Sequence, residues 1–357
     1  ALEPLPNAGR INQGSYGGTD QASLSHPVSG GCVITKNVHQ TDGPFTDIGT
    51  ALAAIPNPLL GHSCVVIRDL AVYPEQVTVE GFVNNGSSIS IFTDPVLGAA
   101  ALVDPPAAST AAFVVRNASV NIVSVDARPT VAVQYGVYAS SMLVSVSSLS
   151  VFDANGNVWG AGVQLAGWSR LSYSSITVLN AYGFQIANAS MTSVSFSSIQ
   201  TNSASLPSIN LVNSTTNTFT VVLASNPAGG PLSIDAGSTH NTVTLSTMVT
   251  NSFGGSGVTV NGTSNTVSHS YIAGYLANTF SVSGTTFTLF ASTVARMSVS
   301  FGSSYGRADR LVTSSGSFSF ANGNYNTLSR SSISSNGAGL GGAVTFNNAS
   351  FNTMSQT

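Results

Sequence analysis

Three copies of one phrase, Asn217-Thr218-Phe219-Thr220, Asn241-Thr242-Val243-Thr244 and Asn265-Thr266-Val267-Ser268, stand 24 residues apart in this chain. Two later copies, Asn326-Thr327-Leu328-Ser329 and Asn352-Thr353-Met354-Ser355, are 26 residues apart. Weaker equivalents extend the repeat upstream to about residue 110. A sustained period of this length indicates a solenoid, in which each repeat packs only against its neighbours.

Apolar residues alternate with polar ones inside each repeat, as in Val258-Thr259-Val260 and Phe318-Ser319-Phe320. This period of two is typical of half-buried strands, and it argues against leucine-rich repeats, which need a Leu-x-x-Leu-x-Leu frame. The sequence therefore predicts an all-β fold, a single-stranded right-handed parallel β-helix of about a dozen coils. Its stability comes from stacked apolar side chains, so ion pairs are not required.

The segment before the repeats has a different pattern. Thr46-Asp47-Ile48 predicts the start of a short helix whose apolar face carries Ile48, Leu52 and Ile55, and Pro56 ends it. Such a helix would cover the apolar opening at the end of the solenoid. We expect a linker or the tail of a preceding unit at 1–29, the cap and first coils at 30–110, and β-helix repeats at 111–357 that continue past the C-terminus.

Two resemblances accompany this pattern. The phrases Asp42–Ile48, Ala53–Asn57, Cys64–Ile67 and Val72–Val79 resemble the N-terminal coil of pectin methylesterases and their pectin-lyase-like relatives. The phrase Pro6–Thr19 is similar to one that closes β-helix domains in large bacterial surface proteins. The first resemblance implies the fold and the cap, and the second implies that this chain is one unit of a tandem array.

Composition excludes two classes of function. Only 6% of the residues are charged and the net charge is −3, with Lys36 as the single lysine, so no basic face exists to bind nucleic acid. Serine occurs 57 times and breaks every apolar run, so no membrane span is present. Ser, Thr, Asn and Gly fill the surface positions that charges normally hold.

The resemblance to pectin methylesterases implies catalytic Gln-Asp and Asp-Phe phrases, and neither occurs here. After Asp153 the only remaining acids, Asp235 and Asp309, are about three coils apart, which is too far for glycoside hydrolysis. The residual site candidate is a group on adjoining early coils, Asp126, Arg128, Tyr135 and Asp153. We interpret that group as a surface ion pair beside a turn.

Other residues invite structural interpretations. The Asn at the head of the repeat predicts a stacked amide ladder that comprises Asn217, Asn241, Asn265, Asn326 and Asn352. The five His residues share no ligand spacing, so neither a metal site nor a cofactor is predicted. The family resemblance places Cys32 and Cys64 on adjacent strands at equivalent positions, which leaves a disulfide and two buried thiols equally open.

The predicted function is a non-enzymatic, extracellular or cell-surface module, structural or adhesive, of a repetitive surface or filament-forming protein. Its expected partner is another copy, stacked end to end or within a tandem array. The alternatives are a polysaccharide-active enzyme of the pectinesterase or lyase kind, and a passive glycan-binding module that uses Trp159 and Trp168 as stacking platforms.

Overall fold

The chain forms a parallel β-solenoid in a computed structural model that describes residues 31–252, 257–275, 278–302, 304–334 and 343–356. The predicted linker at 1–29 lies outside the described residues. The predicted fold class is confirmed, because strands of successive coils pair in parallel from Ile34 to Ser355. No helix among the described residues is long and apolar enough to cross a membrane.

Each coil contributes strands to three faces, which we name A, B and C. Face A and face B form one continuous ladder, because Ser193–Asn202 and Thr218–Asn226 each span both faces. The other strands of face A are Ile34–Val38, Ser63–Ile67, Ile89–Thr93, Val120–Val123, Val144–Ser147, Arg170–Ser172, Thr242–Thr244, Thr266–Ser268, Thr288–Phe290, Arg307–Asp309, Thr327–Ser329 and Thr353–Ser355.

Face B contains Val72–Tyr73, Ala101–Val103, Val125–Ala127, Ser150–Phe152, Ser175–Leu179, Thr247–Thr250, Tyr271–Ala273, Thr293–Ala295, Val312–Ser314 and Ser332–Ile333. Face C is a separate sheet of 12 strands, one for each coil. They are Val77–Glu80, Ala111–Arg116, Val133–Ala139, Val158–Leu165, Tyr182–Ala187, Ile209–Val212, Leu232–Ile234, Thr259–Val260, Thr279–Val282, Ser298–Phe301, Phe318–Ala321 and Val344–Asn347.

The predicted capping helix is Ile48–Ala53, one residue later than the sequence pattern places its start. Asp47 caps it, since its carboxylate accepts a hydrogen bond of 2.7 Å from the Thr50 amide. Glu75 accepts two more from the amides of Ile48 and Gly49, at 2.7 and 2.8 Å. Three otherwise unpaired amide groups at this helix end are thus satisfied.

The core consists of the apolar residues that alternate along each strand. Val194, Phe219 and Val243 are buried at equivalent positions of three successive coils on face A. In the later coils the core becomes aromatic, and Phe287 meets Phe280 and Phe301 edge to face at centroid distances of 5.9 and 5.7 Å. Aliphatic and aromatic stacking of this kind accounts for a stable chain with few charges.

A single residue with positive φ turns the chain from face A to face B in ten successive coils. Most of these residues are not the types that favour this conformation; they are Ser124, Ser148, Tyr173, Phe196, Val221, Leu245, His269, Ala291, Arg310 and Arg330, with φ between 46° and 63°. Hydrogen bonds to the next coil hold the turn, for example from the Leu245 amide to the Ser268 carbonyl at 3.2 Å. The cost of the left-handed conformation, roughly 1–2 kcal/mol per residue, is offset by this pairing.

The predicted amide ladder divides into two runs. Asn217, Asn241 and Asn265 form a continuous run in which each amide N–H bonds the next Asn side-chain oxygen at 2.9 Å. Asn326 and Asn352 form a second run, with a bond of 2.8 Å from the Asn326 amide. Between the runs, Phe287 and Gly306 occupy the equivalent positions, so one uninterrupted ladder of five Asn residues does not form.

A second ladder, of buried serines, follows the corner between faces A and B. Each hydroxyl donates to the carbonyl two residues earlier and accepts from an amide of the preceding coil, as Ser270 does at 2.7 and 3.2 Å. The residues with this arrangement are Ser174, Ser197, Ser246, Ser270, Ser292 and Ser331. The abundance of serine therefore has an internal structural role as well as a surface one.

Candidate functional site

The predicted group of four residues is only partly assembled. Asp126 lies on the face B strand Val125–Ala127, and Arg128 follows that strand directly. The Arg128 Nη2 atom is 3.3 Å from the Asp126 Oδ2 atom. The Asp126 side chain is 19% exposed and the Arg128 side chain 53%, so the ion pair lies at the surface. These two residues do come together as the sequence predicts.

Asp153 and Tyr135 are used elsewhere. The Asp153 carboxylate is buried and accepts hydrogen bonds from the amides of Asn155, Asn157 and Val158, at 3.2, 2.9 and 2.9 Å. It therefore shapes a turn and offers no free oxygen to a substrate. Tyr135 lies on face C, where its ring stacks on Tyr138 at a centroid distance of 4.9 Å.

A carboxyl group that sequence analysis did not single out lies beside the ion pair. Asp104 directly follows the face B strand Ala101–Val103, which pairs in register with Val125–Ala127. The pairing continues past both strand ends, since the Arg128 amide bonds the Val103 carbonyl at 3.1 Å. Asp104 is therefore the neighbour of Arg128 on the preceding coil.

Thr130 fixes the orientation of Asp104. Its amide and hydroxyl donate to the two carboxylate oxygens at 2.9 and 2.8 Å. Asp104 and Asp126 lie one coil and two residues apart, which at the spacing of parallel strands corresponds to a Cα separation of about 8 Å. Carboxyl groups about 5 to 9.5 Å apart are the arrangement that glycoside hydrolysis requires.

The environment of Asp126 suits a proton donor. Burial raises the pKa of Asp126 above its usual value of 3.8, and the nearby Arg128 guanidinium opposes that increase only in part. A carboxyl group with a raised pKa stays protonated at higher pH than a free aspartate. Such groups are common at catalytic sites, because a proton donor must be protonated at the working pH.

The remaining acids of the repeat region have structural roles. The Asp309 side chain on face A is completely covered and accepts hydrogen bonds from Arg330, Ser329 and Arg307. The Arg330 contact is the main cause that lowers the pKa of Asp309 to about 2. Asp235 accepts a hydrogen bond of 2.6 Å from the Ser238 hydroxyl and two from the Asn213 amide.

Asp309 should make stability depend on pH. Its folded pKa of about 2 lies below the ordinary value of 3.8, so its stabilisation is present above the ordinary value and is lost as the pH falls through about 2. We expect Asp309→Asn to lower the melting temperature at pH 6, and the difference from the unaltered protein to shrink below about pH 4. Thermal melts across that range measure both. A difference that stays constant with pH would contradict this assignment.

The two cysteines form a disulfide between Cys32 and Cys64, with 5.7 Å between their Cα atoms. Their positions are not equivalent, because Cys64 pairs in register with Thr35 and Cys32 precedes that strand. A His62 ring nitrogen and the two sulfur atoms lie within 4.8 Å of one another. Because the sulfurs are bonded to each other, this trio offers no thiolates to a metal ion.

Comparisons with known proteins give a fold relationship. No known family profile matches the chain, and no curated protein matches its sequence significantly. DFA-IIIase from Arthrobacter chlorophenolicus A6, in complex with GF2, is 12% identical with a TM-score of 0.59, over 84% of this chain and 98% of that chain. The catalytic domain of an α-1,3-glucanase in complex with nigerose is 11% identical with a TM-score of 0.51, over 92% and 66%.

The Agl-KA catalytic domain is 12% identical with a TM-score of 0.53, over 82% of this chain and 62% of that chain. At these identities the alignments show a shared fold, in agreement with the resemblance to pectin-lyase-like β-helices. They also overturn two expectations from sequence, the non-enzymatic structural or adhesive module and the absence of catalysis. The solved structures that share this fold over most of the chain are carbohydrate-acting enzymes.

Proposed function

We propose that this chain is a carbohydrate-active enzyme that cleaves glycosidic bonds, with Asp104 and Asp126 as its two reacting carboxyl groups. The observation that carries the proposal is their position side by side on face B, one protonated more readily because it is buried. The carbohydrate-acting enzymes that share the fold support the same class of reaction.

The two carboxyl groups have different tasks in this reaction. Asp126 donates its proton to the oxygen of the glycosidic bond as that bond breaks, which leaves positive charge on the sugar ring. Asp104, oriented by Thr130, acts on the opposite side of the sugar, either as a base that activates water or as the nucleophile. Arg128, at 3.3 Å from Asp126, favours the carboxylate that remains after proton transfer.

We place the enzyme outside the cell, since the disulfide between Cys32 and Cys64 would persist in an oxidising compartment. End-to-end association of the solenoid with another copy stays a prediction.

A direct test incubates the full chain with a panel of neutral and acidic oligosaccharides and polysaccharides. Formation of new reducing ends and shorter products, followed by mass spectrometry, is the expected result for at least one substrate. Release of products without a new reducing end would indicate a lyase or esterase instead. A panel that yields no products would contradict the proposal.

A further inference from the structure

Face C carries an exposed cluster of aromatic and amide side chains over three successive coils. We define this aromatic–amide surface by Tyr135, Tyr138, Trp159, Gln164, Tyr182 and Gln185. Parallel register aligns Tyr138, Gln164 and Gln185 in one column along the solenoid axis. A second column begins with Tyr135 and ends with Tyr182, and Ala161 lies completely buried between them.

Stacked glycines explain why these side chains face outward. Gly136, Gly162 and Gly183 occupy equivalent positions at the corner where face B meets face C. A Cβ at Gly136 would lie 2.6 Å from the Val151 Cγ1 atom, and one at Gly162 would lie 2.5 Å from the Ile176 Cγ2 atom. The interior has no room for side chains at this corner, so the bulky neighbours are on the outside.

The chemistry of the surface matches that of a sugar. Trp159 is 59% exposed, and the stacked rings of Tyr135 and Tyr138 add further apolar area. Within the described part of the chain, the side-chain amides of Gln164 and Gln185 have no hydrogen-bond partner. An amide both donates and accepts, as a sugar hydroxyl does, while aromatic rings contact the C–H groups of the sugar ring.

The surface is also uncharged. Asp153 is the only charged residue between Arg128 and Arg170, and its carboxylate is buried under three amides of its own turn. A glycan with a carboxylate on each unit would find no cation on this surface. The nearest one, Arg128, already contacts Asp126. Charge complementarity therefore favours a neutral glycan over a pectin-like one.

The surface lies next to the two carboxyl groups. Asp126 and Tyr135 belong to the same coil, separated by the corner at residues 128–132. Asn157 of the next coil holds that corner in place, because its side-chain amide donates to the Pro129 carbonyl at 2.9 Å. The Asn157 carbonyl accepts from the Val133 amide at 2.9 Å. One bound chain can therefore extend from the aromatic–amide surface to the corner.

We infer that the aromatic–amide surface binds an uncharged polysaccharide along the solenoid axis and positions it for cleavage at Asp104 and Asp126. This inference rests on the proposed function and specifies its substrate class. The pectinesterase or lyase alternative, which needs an acidic polysaccharide, does not fit the chemistry of this surface.

The test is affinity electrophoresis of the full chain in gels that contain a neutral polysaccharide (mixed-linkage glucan, glucomannan, xylan or inulin) or an acidic one (alginate or polygalacturonate). We expect retardation by at least one neutral gel, and Trp159→Ala should weaken it at least tenfold. Trp168→Ala is the matched control, since that tryptophan is 54% exposed but lies at the turn before face A. Thermal melts check that both variants fold.

The outcomes separate this inference from the proposed function. Retardation only by the acidic gels, or equal effects of Trp159→Ala and Trp168→Ala, would overturn the inference even if glycosidic bonds are cleaved. Binding that Trp159→Ala weakens, in a protein that cleaves none of the substrates, would support the surface and reject the catalytic proposal. Double substitution Gln164→Ala and Gln185→Ala should also reduce neutral binding without changing the melting temperature.

Discussion

Asp126→Asn is expected to lower the rate of glycosidic bond cleavage by about 10²–10⁴-fold, the usual contribution of a positioned acid or base. The asparagine keeps the size and one oxygen for Arg128, but it has no proton to give to the leaving group. Asp104→Asn should cause a loss in the same range, because the second carboxyl group is then missing. Rates measured on the substrate found in the screen test both variants.

The pH profile distinguishes a proton donor from a residue that merely supports the fold. Because burial raises the pKa of Asp126, the rate should fall as the pH rises through that pKa, and Asp126→Asn should lack this decline. The exposed Asp42, far along the chain on the first coil, gives a control in Asp42→Asn with unchanged rates. Retention of half the activity or more in both Asp104→Asn and Asp126→Asn would exclude the pair as the catalytic site.

The sequence predicts the fold well because a solenoid repeats its physics. The Asn-Thr phrase marks the same point of each coil, and alternation identifies buried positions such as Phe219 and Val243. The capping helix is also predictable, since Asp47 and Pro56 provide its start and stop signals. The serine ladder has a signal as well, a serine two residues after a polar residue of face A, as in Ser268 and Ser270.

The site is harder to predict because it depends on register between coils of unequal length. Tyr73 and Val103 are paired although they are 30 residues apart, whereas Val103 and Ala127 are 24 apart. Asp104 has no repeat signal of its own, and only its pairing reveals that it lies beside Arg128. Counting back from Asp126 along the shorter interval would have found it. Asp153 shows the opposite case, because its carboxylate turns into its own loop.

Asn241→Ala is expected to lower the free energy of unfolding by about 3–5 kcal/mol, because it leaves several buried polar groups without partners. The Asn241 side-chain oxygen accepts from both the amide and the side chain of Asn217, each at 2.9 Å. Its own amide group donates to the Ser214 carbonyl at 2.9 Å. All three groups lie inside the solenoid, where water cannot replace the lost bonds.

The damage should also be local, since each coil contacts only its neighbours. Hydrogen exchange of the amides of Asn217 and Thr242 should accelerate, while that of strands near the cap, such as Ser63–Ile67, should not change. Asn155→Ala, at an exposed turn position, is the matched control and should change stability by less than about 0.5 kcal/mol. Equal destabilisation by both variants in urea denaturation would mean that the amide run contributes no more than a surface asparagine, and that stacking of apolar side chains alone sets the stability of these coils.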